Sequence, residues 1–100
     1  MIILYITCKN NEEASKIAKH LISKRLIACA NIFPIKSIYR WKKKIVNDKE
    51  VALVAKTLKS KFNTVKKEVK KIHSYETPCI TMLEARANRD FEKWIKGEIK

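Results

Sequence analysis

The chain has 100 residues, with 23 Lys and Arg against 10 Asp and Glu and a formal net charge of +13. This length makes one domain, and its single glycine, Gly97, excludes glycine-rich phosphate loops and flexible linkers, and with them P-loop and Rossmann chemistry. Cys8, Cys29 and Cys79 are odd in number and stand apart, so no disulfide framework or paired-cysteine motif is implied, and reduced thiols fit a reducing compartment.

The positive charge invites a nucleic-acid or acidic-membrane partner, because clustered Lys and Arg gain affinity from counterion release. Almost all of the basic residues are Lys, however, and the chain is also heavy in Ile and Asn, a usage that an AT-biased coding sequence produces without selection for binding. The charge therefore counts for little by itself.

Met1 to Thr7 is an apolar run suited to a central strand covered on both faces. It lacks a basic leader and is too short for a signal peptide or a membrane span, so a cytoplasmic location without membrane contact is expected. Asn10 then caps a helix, with Glu13 in capping-box position three residues on. That helix runs to about Arg25, with Ala14, Ile17, Ala18, Leu21 and Ile22 inward and His20 at the boundary as a surface histidine.

Ala28 to Trp41 reads as one long strand, rich in residues that favour a pleated surface, with Tyr39 and Trp41 on one face. Pro34 predicts a bend or an edge position, and the half beyond it should project from the core. A projecting aromatic strand aggregates unless another chain covers it, which makes an oligomer the first functional expectation. Val51 to Thr57 supplies a partner strand. The hairpin turns at Asn47-Asp48 by residue chemistry, or at Lys42-Lys43 if pairing reaches Trp41.

Leu58 to Ile72 predicts a second amphipathic helix with Phe62, Val65, Val69 and Ile72 inward and a lysine-rich outer face. No aromatic residues interleave those lysines to stack bases, so nucleic acid is not an expected partner. A polar segment, His73 to Pro78, leads to a strand over Cys79 to Leu83. Asn88 caps a terminal helix lined by Phe91, Trp94, Ile95 and Ile99. The order is the α+β, ferredoxin-like βαββαβ arrangement with an extended hairpin and a C-terminal helix, an antiparallel sheet with helices on one face.

His73 and Glu76 lie within reach of each other in a turn, and with a thiolate they make a soft divalent-metal site. A catalytic cysteine activated by His73 finds no supporting neighbourhood, so no enzyme is expected. Tyr39 and Trp41 read as interface anchors.

The combination Ala28-Cys29-Ala30-Asn31, Ser37 to Trp41, Lys44-Ile45, Lys56-Thr57, His73-Ser74-Tyr75-Glu76-Thr77-Pro78 and Phe91 to Ile95 resembles the CutA divalent-cation-tolerance family across essentially the whole chain. The resemblance implies a homotrimer of PII-like architecture, whose long hairpins extend each other's sheets. It further implies a role in divalent-cation tolerance, with copper or zinc as candidate ions. Carried over by position, it adds Cys29 to His73 and Glu76 as metal ligands, and assigns binding or interface roles to Asn31, Tyr39, Trp41, Lys56, Tyr75, Pro78 and Trp94. The alternative within the same resemblance is a PII-like signalling module that takes a small ligand or partner in intersubunit clefts lined by Tyr39, Trp41 and Lys56. The sequence departs from the family pattern at Ser74, where Pro is usual, at Cys79, where an acid is common, and at Lys42-Lys43, where the hairpin usually turns on Glu-Gly.

Overall fold

A computed structural model describes residues 1–100. Strand β1 (Ile2–Cys8) alternates strictly, so Ile2, Leu4, Ile6 and Cys8 are fully buried while Ile3, Tyr5 and Thr7 are half-buried on the opposite face. It is a central strand, one position longer at its end than the apolar run suggests. Helix α1 (Asn11–Ser23) follows, β2 (Cys29–Trp41) and β3 (Lys44–Thr57) form the hairpin, and α2 (Phe62–Ile72), β4 (Ile80–Glu84) and α3 (Arg89–Glu98) complete the chain. The antiparallel sheet has the order β2-β3-β1-β4, as a split βαβ arrangement requires.

Helices α1 and α2 cover the face that carries the even-numbered side chains of β1. Ala14, Ile17, Ala18 and Leu21 from α1 and Val65 and Val69 from α2 join β1 and β3 in one core cluster. Ile22, expected inward, is exposed, because α1 ends one residue later and the helix turns its last apolar position outward. The residues from Leu58 begin with a 3-10 turn (Lys59–Lys61) before α2 starts. Helix α3 departs from the one-face expectation. Its Phe91 ring lies 5.6 Å from Nζ of Lys56, whose pairing with Ile3 and Cys29 sets it on the sheet face away from α1 and α2.

Two local devices hold the helices. The end of α1 is a Schellman motif, with N–H of Leu26 donating to Leu21 and N–H of Arg25 to Ile22, and Arg25 occupies the left-handed position at φ 58° that glycine usually fills. Its guanidinium donates to the carbonyls of Glu98 and Gly97, so the strained residue also caps the C-terminus of α3. Between α1 and α2, the nearly buried Glu68 receives His20 at 2.9 Å, Lys24 at 2.8 Å and Lys71 at 2.9 Å. His20 is thus a structural side chain at the helix boundary.

The hairpin outruns the sheet. β1 pairs with β3 only over Val51–Thr57, whereas β2 pairs with it from Cys29↔Lys56 to Trp41↔Lys44. Beyond Val51 the two strands continue as a bare ribbon that gives the molecule its 45 Å long axis. Pro34 is accommodated because β2 is an edge strand. The turn falls at Lys42-Lys43, and Asn47-Asp48 is ladder, paired with Ile38 and Ser37. Both turn lysines have positive φ, 48° and 68°, the backbone of a type I′ turn that Asn-Gly normally provides. Left-handed backbone costs a non-glycine residue about 1–2 kcal/mol. The tight register of the flanking ladder overrides that preference.

Replacing Lys42-Lys43 with Asn-Gly removes this strain, and hydrogen exchange at the Trp41 and Lys44 amides is expected to slow about tenfold, corresponding to about 1.4 kcal/mol. For Glu68, the hydrogen bonds from Lys24, Lys71 and His20 lower the pKa from 4.5 to about 2. The stability this carboxylate contributes is therefore complete above its ordinary pKa and is lost as pH falls towards 2. Urea midpoints followed from about pH 5 to pH 2 should show the wild type converging on Glu68→Gln, with the wild type more stable only at the upper end.

Candidate functional site

Three element ends meet at one edge of the core. β1 finishes at Thr7-Cys8, α1 starts after Asn10, and α2 closes with N–H of His73 donating to Val69 before the chain enters the segment 73–79. Asn10 caps α1 by accepting from N–H of Glu13 at 2.9 Å. Glu13 reaches back to accept from N–H of Lys9 at 3.0 Å, one residue short of the usual capping-box partner, and its second oxygen accepts from N–H of Ser74 at 2.9 Å. One carboxylate thus caps the helix and ties the segment after α2 to it.

His73 completes the knot. Its Nε2 lies 2.8 Å from the Thr7 carbonyl, and its Nδ1 lies 3.0 Å from N–H of Tyr75. A carbonyl only accepts and a backbone N–H only donates, so the ring is the tautomer with its proton on Nε2 and its lone pair on Nδ1. The ligand atoms of Cys8, Glu13 and His73 lie within 4.8 Å of one another. Burial, followed by the charges of Glu13 and Glu50, pushes the Cys8 thiol up to about 12. Burial alone would raise Glu13, but the bonds from Ser74 and Lys9 and the nearby His73 outweigh it and hold this carboxyl below its usual range.

Thiol, carboxylate and imidazole together suit a borderline divalent cation. No buried side-chain nitrogen or oxygen in the chain lacks a hydrogen-bond partner, so the Glu13 carboxylate and the His73 ring are already satisfied. A metal would need the Cys8 proton to leave and His73 to exchange either Thr7 or Tyr75 for the ion, while Glu13 retains spare lone pairs. The residues fit a cation, and a cation held there would be coupled to release of the Cys8 proton and to exchange of a His73 hydrogen bond.

Beside this trio a groove of about 440 Å³ opens where the ribbon leaves the sheet. Tyr39, Trp41 and Tyr75 give it aromatic walls, Asp48, Glu50 and Glu76 give it carboxylates, and Cys79 gives it a thiol. No Lys or Arg lines it, in a chain with 23 of them. Tyr75 OH donates to Glu50 at 2.5 Å and Tyr39 OH to Asp48 at 3.2 Å. Burial first, then the bond to Glu50, raises the Tyr75 phenol, which therefore stays a donor.

The residues singled out from the sequence divide between two places. His73, Glu76, Tyr39, Trp41 and Tyr75 belong to the groove and its floor. Cys29, Asn31, Lys56 and Trp94 belong to the far end. Lys56 donates to Asn31 at 3.1 Å and stands over Phe91, which packs on the half-exposed Trp94 at 5.6 Å. Pro78 is half-buried in the segment between α2 and β4.

Cys29 pairs with Lys56, which pairs with Ile3, whereas His73 binds at Thr7. Roughly 13 Å of strand and two interstrand spacings separate them, so one chain does not bring Cys29 to His73. Lys56 and Trp41 are likewise far apart, roughly 40 Å along the hairpin. The sequence reading missed Cys8 and Glu13 as companions of His73. Glu13 was visible only as a capping residue beside Cys8, and the docking of His73 and Ser74 onto that cap is a tertiary fact.

The sequence profile of the CutA1 divalent ion tolerance protein family matches residues 2–98. The chain belongs to this family. The divalent-cation tolerance protein CutA of Archaeoglobus fulgidus is 48% identical over 98 residues, covering 97% of this chain and 96% of that protein. A solved structure from the same organism, described as the periplasmic divalent cation tolerance protein CutA, superposes with a TM-score of 0.97 at 45% identity and covers both chains fully. A PII-like protein CutA from Nostoc sp. PCC 7120 superposes with a TM-score of 0.92 at 28% identity, over 100% of this chain and 98% of that one. The CutA fold is thus shown from end to end, and no helix in it is long and apolar enough to cross a membrane.

Thiol accessibility separates the three cysteines. Cys79 is exposed, whereas Cys8 is fully buried with its thiol pushed up to about 12. Iodoacetamide at pH 8 should alkylate Cys79 in the native protein and reach Cys8 only after unfolding, read by peptide mass spectrometry.

Proposed function

We propose that the protein is a homotrimeric, nonenzymatic divalent-metal-ion response and tolerance protein of the cytoplasm, folded as one domain over residues 1–100, that takes copper or a similar divalent cation such as zinc. The observation that carries this reading is the convergence of Cys8, Glu13 and His73 within 4.8 Å beside a groove with three carboxylates and no basic side chain. His73 is the ligand retained from the sequence reading. Glu76 stands at the groove as a carboxylate that attracts the ion, and Cys8 takes the thiol role first given to Cys29. Membership of a family named for divalent ion tolerance supports a metal ion as the ligand.

The trimer reading rests on the ribbon. Ile38 is 65% and Ile45 is 68% exposed, with Tyr39 and Trp41 beside them, and a bare two-stranded ribbon is at best marginally stable in water. Partner chains that cover these side chains remove both problems. A second reading, a PII-like module that takes a small ligand, draws on the aromatic walls of the same groove and on the likeness to a CutA protein described as PII-like. Because Lys56 is remote from Trp41 in one chain, that reading needs them to meet across subunits.

Native mass spectrometry of metal-free protein, with calorimetric titration of copper and zinc, tests both parts. The expected result is a trimer that binds one ion per chain and releases protons, with affinity lowered at least about tenfold in Cys8→Ser and in His73→Ala. Cys29→Ser should bind as the wild type does. A monomer overturns the ribbon argument, and unchanged binding in the Cys8→Ser, His73→Ala double variant overturns the ligand set. Loss in Cys29→Ser alone replaces it with a site built between subunits.

A further inference from the structure

At the other end of β1 from the metal trio lies a second concavity of opposite sign. It has a volume of about 1050 Å³, is built from Met1, the segment after β4 and one side of α3, and presents the Met1 ammonium with Arg86, Arg89, Lys93 and Lys96 against two carboxylates. Both carboxylates are committed. Glu84 accepts from Lys59 at 2.9 Å, which holds its carboxyl below the usual range, and Glu92 pairs with the Met1 ammonium at 3.6 Å. Arg86, Arg89, Lys93 and Lys96 make no ion pair and no side-chain hydrogen bond within the chain.

This concentration is not the general surplus of lysine spread over a surface. Arg89, Lys93 and Lys96 follow the i, i+4, i+7 spacing that aligns one side of a helix, and Arg86 joins them from the preceding loop. Like charges so arranged repel one another unless an anion lies between them. The lysines of α2 differ, since Lys67 and Lys70 stand exposed on a convex helix face and Lys66 lies over the Phe62 ring. The start of α3 adds to the field, because Asn88 occupies the cap position without a side-chain hydrogen bond and the first-turn N–H groups are left without that partner.

We infer that this groove binds a compact polyphosphate group, held by the forked guanidiniums of Arg86 and Arg89 with Lys93 and Lys96 as point charges. Planar arginine donors match phosphate oxygens two at a time, and several unpaired cations in one concavity select a polyanion over a single phosphate. The lining has no aromatic side chain, and its apolar members are Met1, Ala85 and Ala87. Nothing there stacks a base, so the ligand is recognised by its phosphates, whether it arrives as free polyphosphate or as the tail of a metabolite. The same lack argues against single-stranded nucleic acid, which needs stacking surfaces along its path.

Calorimetric titration of the full chain with inorganic tripolyphosphate, repeated at about 50 and 200 mM salt, tests the inference. Saturable binding that weakens with salt is expected, with inorganic phosphate at least tenfold weaker and ATP no tighter than tripolyphosphate, on the order of what charge-assisted contacts imply. Arg86→Ala with Arg89→Ala should weaken binding at least about thirtyfold, and Arg86→Lys with Arg89→Lys should fall between that variant and the wild type. Both arginines are exposed and unbonded, so the variants should keep their thermal midpoints, and Lys93→Gln with Lys96→Gln provides an independent loss. A triple Lys66→Ala, Lys67→Ala, Lys70→Ala variant should bind within about threefold of wild type. Equal loss in that variant, unchanged binding in the arginine variant, or tighter binding of a single-stranded oligonucleotide through the same residues overturns the inference.

Discussion

The register of β3 governs the molecule. One strand serves two partners of unequal length, with β1 pairing only over Val51–Thr57 while β2 follows it to Trp41↔Lys44. Where β1 ends, the sheet loses its core and the hairpin continues without one. This mismatch exposes Ile38, Ile45, Tyr39 and Trp41, the apolar surface on which the proposed trimer rests. It also opens the groove, because the ribbon side chains Tyr39, Asp48 and Glu50 diverge from Thr7 just where the segment after α2 passes. A β1 extended by several residues would close the groove and cover part of the ribbon at once.

The knot around His73 has the opposite character, since both oxygens of Glu13 and both ring nitrogens of His73 are hydrogen-bonded. Glu13 joins the start of α1 to Ser74, and His73 joins the end of α2 to β1, so three elements are fixed by two side chains. Partly buried hydrogen bonds of this kind contribute about 1 kcal/mol each, and more where one partner is ionised. Because the metal-free state is satisfied, an ion competes with existing bonds instead of filling a gap. In the metal reading proposed above, that competition would weaken binding by the cost of a proton and of one hydrogen bond at His73.

Much of this was legible in the sequence. The apolar alternation of β1, the Asn10 cap and the inward stripe of α2 each state a local preference that packing then reinforces. The long strand, with Pro34 at an edge and Tyr39 and Trp41 exposed beyond it, was also legible. What the sequence left open or misplaced was long-range. Asn47-Asp48 has better turn chemistry than Lys42-Lys43, yet cross-strand register decided the turn, and two lysines accept positive φ as a result. Ile22 follows the helical period but lies too near the end of α1 to be covered. At the site, the family resemblance points to Cys29 as the thiol beside His73 and Glu76, whereas the fold sets Cys8 and Glu13 next to His73. The local cap sets Glu13 beside Lys9 and hence near Cys8, and only the docking of the segment after α2 on β1 brings His73 to them.

Charge is segregated along β1 in a way the net value conceals. Thr7 lines a groove with three carboxylates and no cation, and Met1 lines one with five cationic groups and two committed carboxylates. A chain of +13 should repel a divalent cation if the whole charge acted at a distance. At physiological ionic strength the Debye length is about 8 Å, shorter than the span of β1, so each groove is governed by its own lining. The surplus lysines elsewhere are then nearly silent at the acidic groove, while Asp48, Glu50 and Glu76 act at close range. Lowering the salt would lengthen the reach of the basic surface and weaken cation attraction, the reverse of what an isolated acidic site does. Local sign, not net charge, therefore decides which ion each end of this molecule attracts.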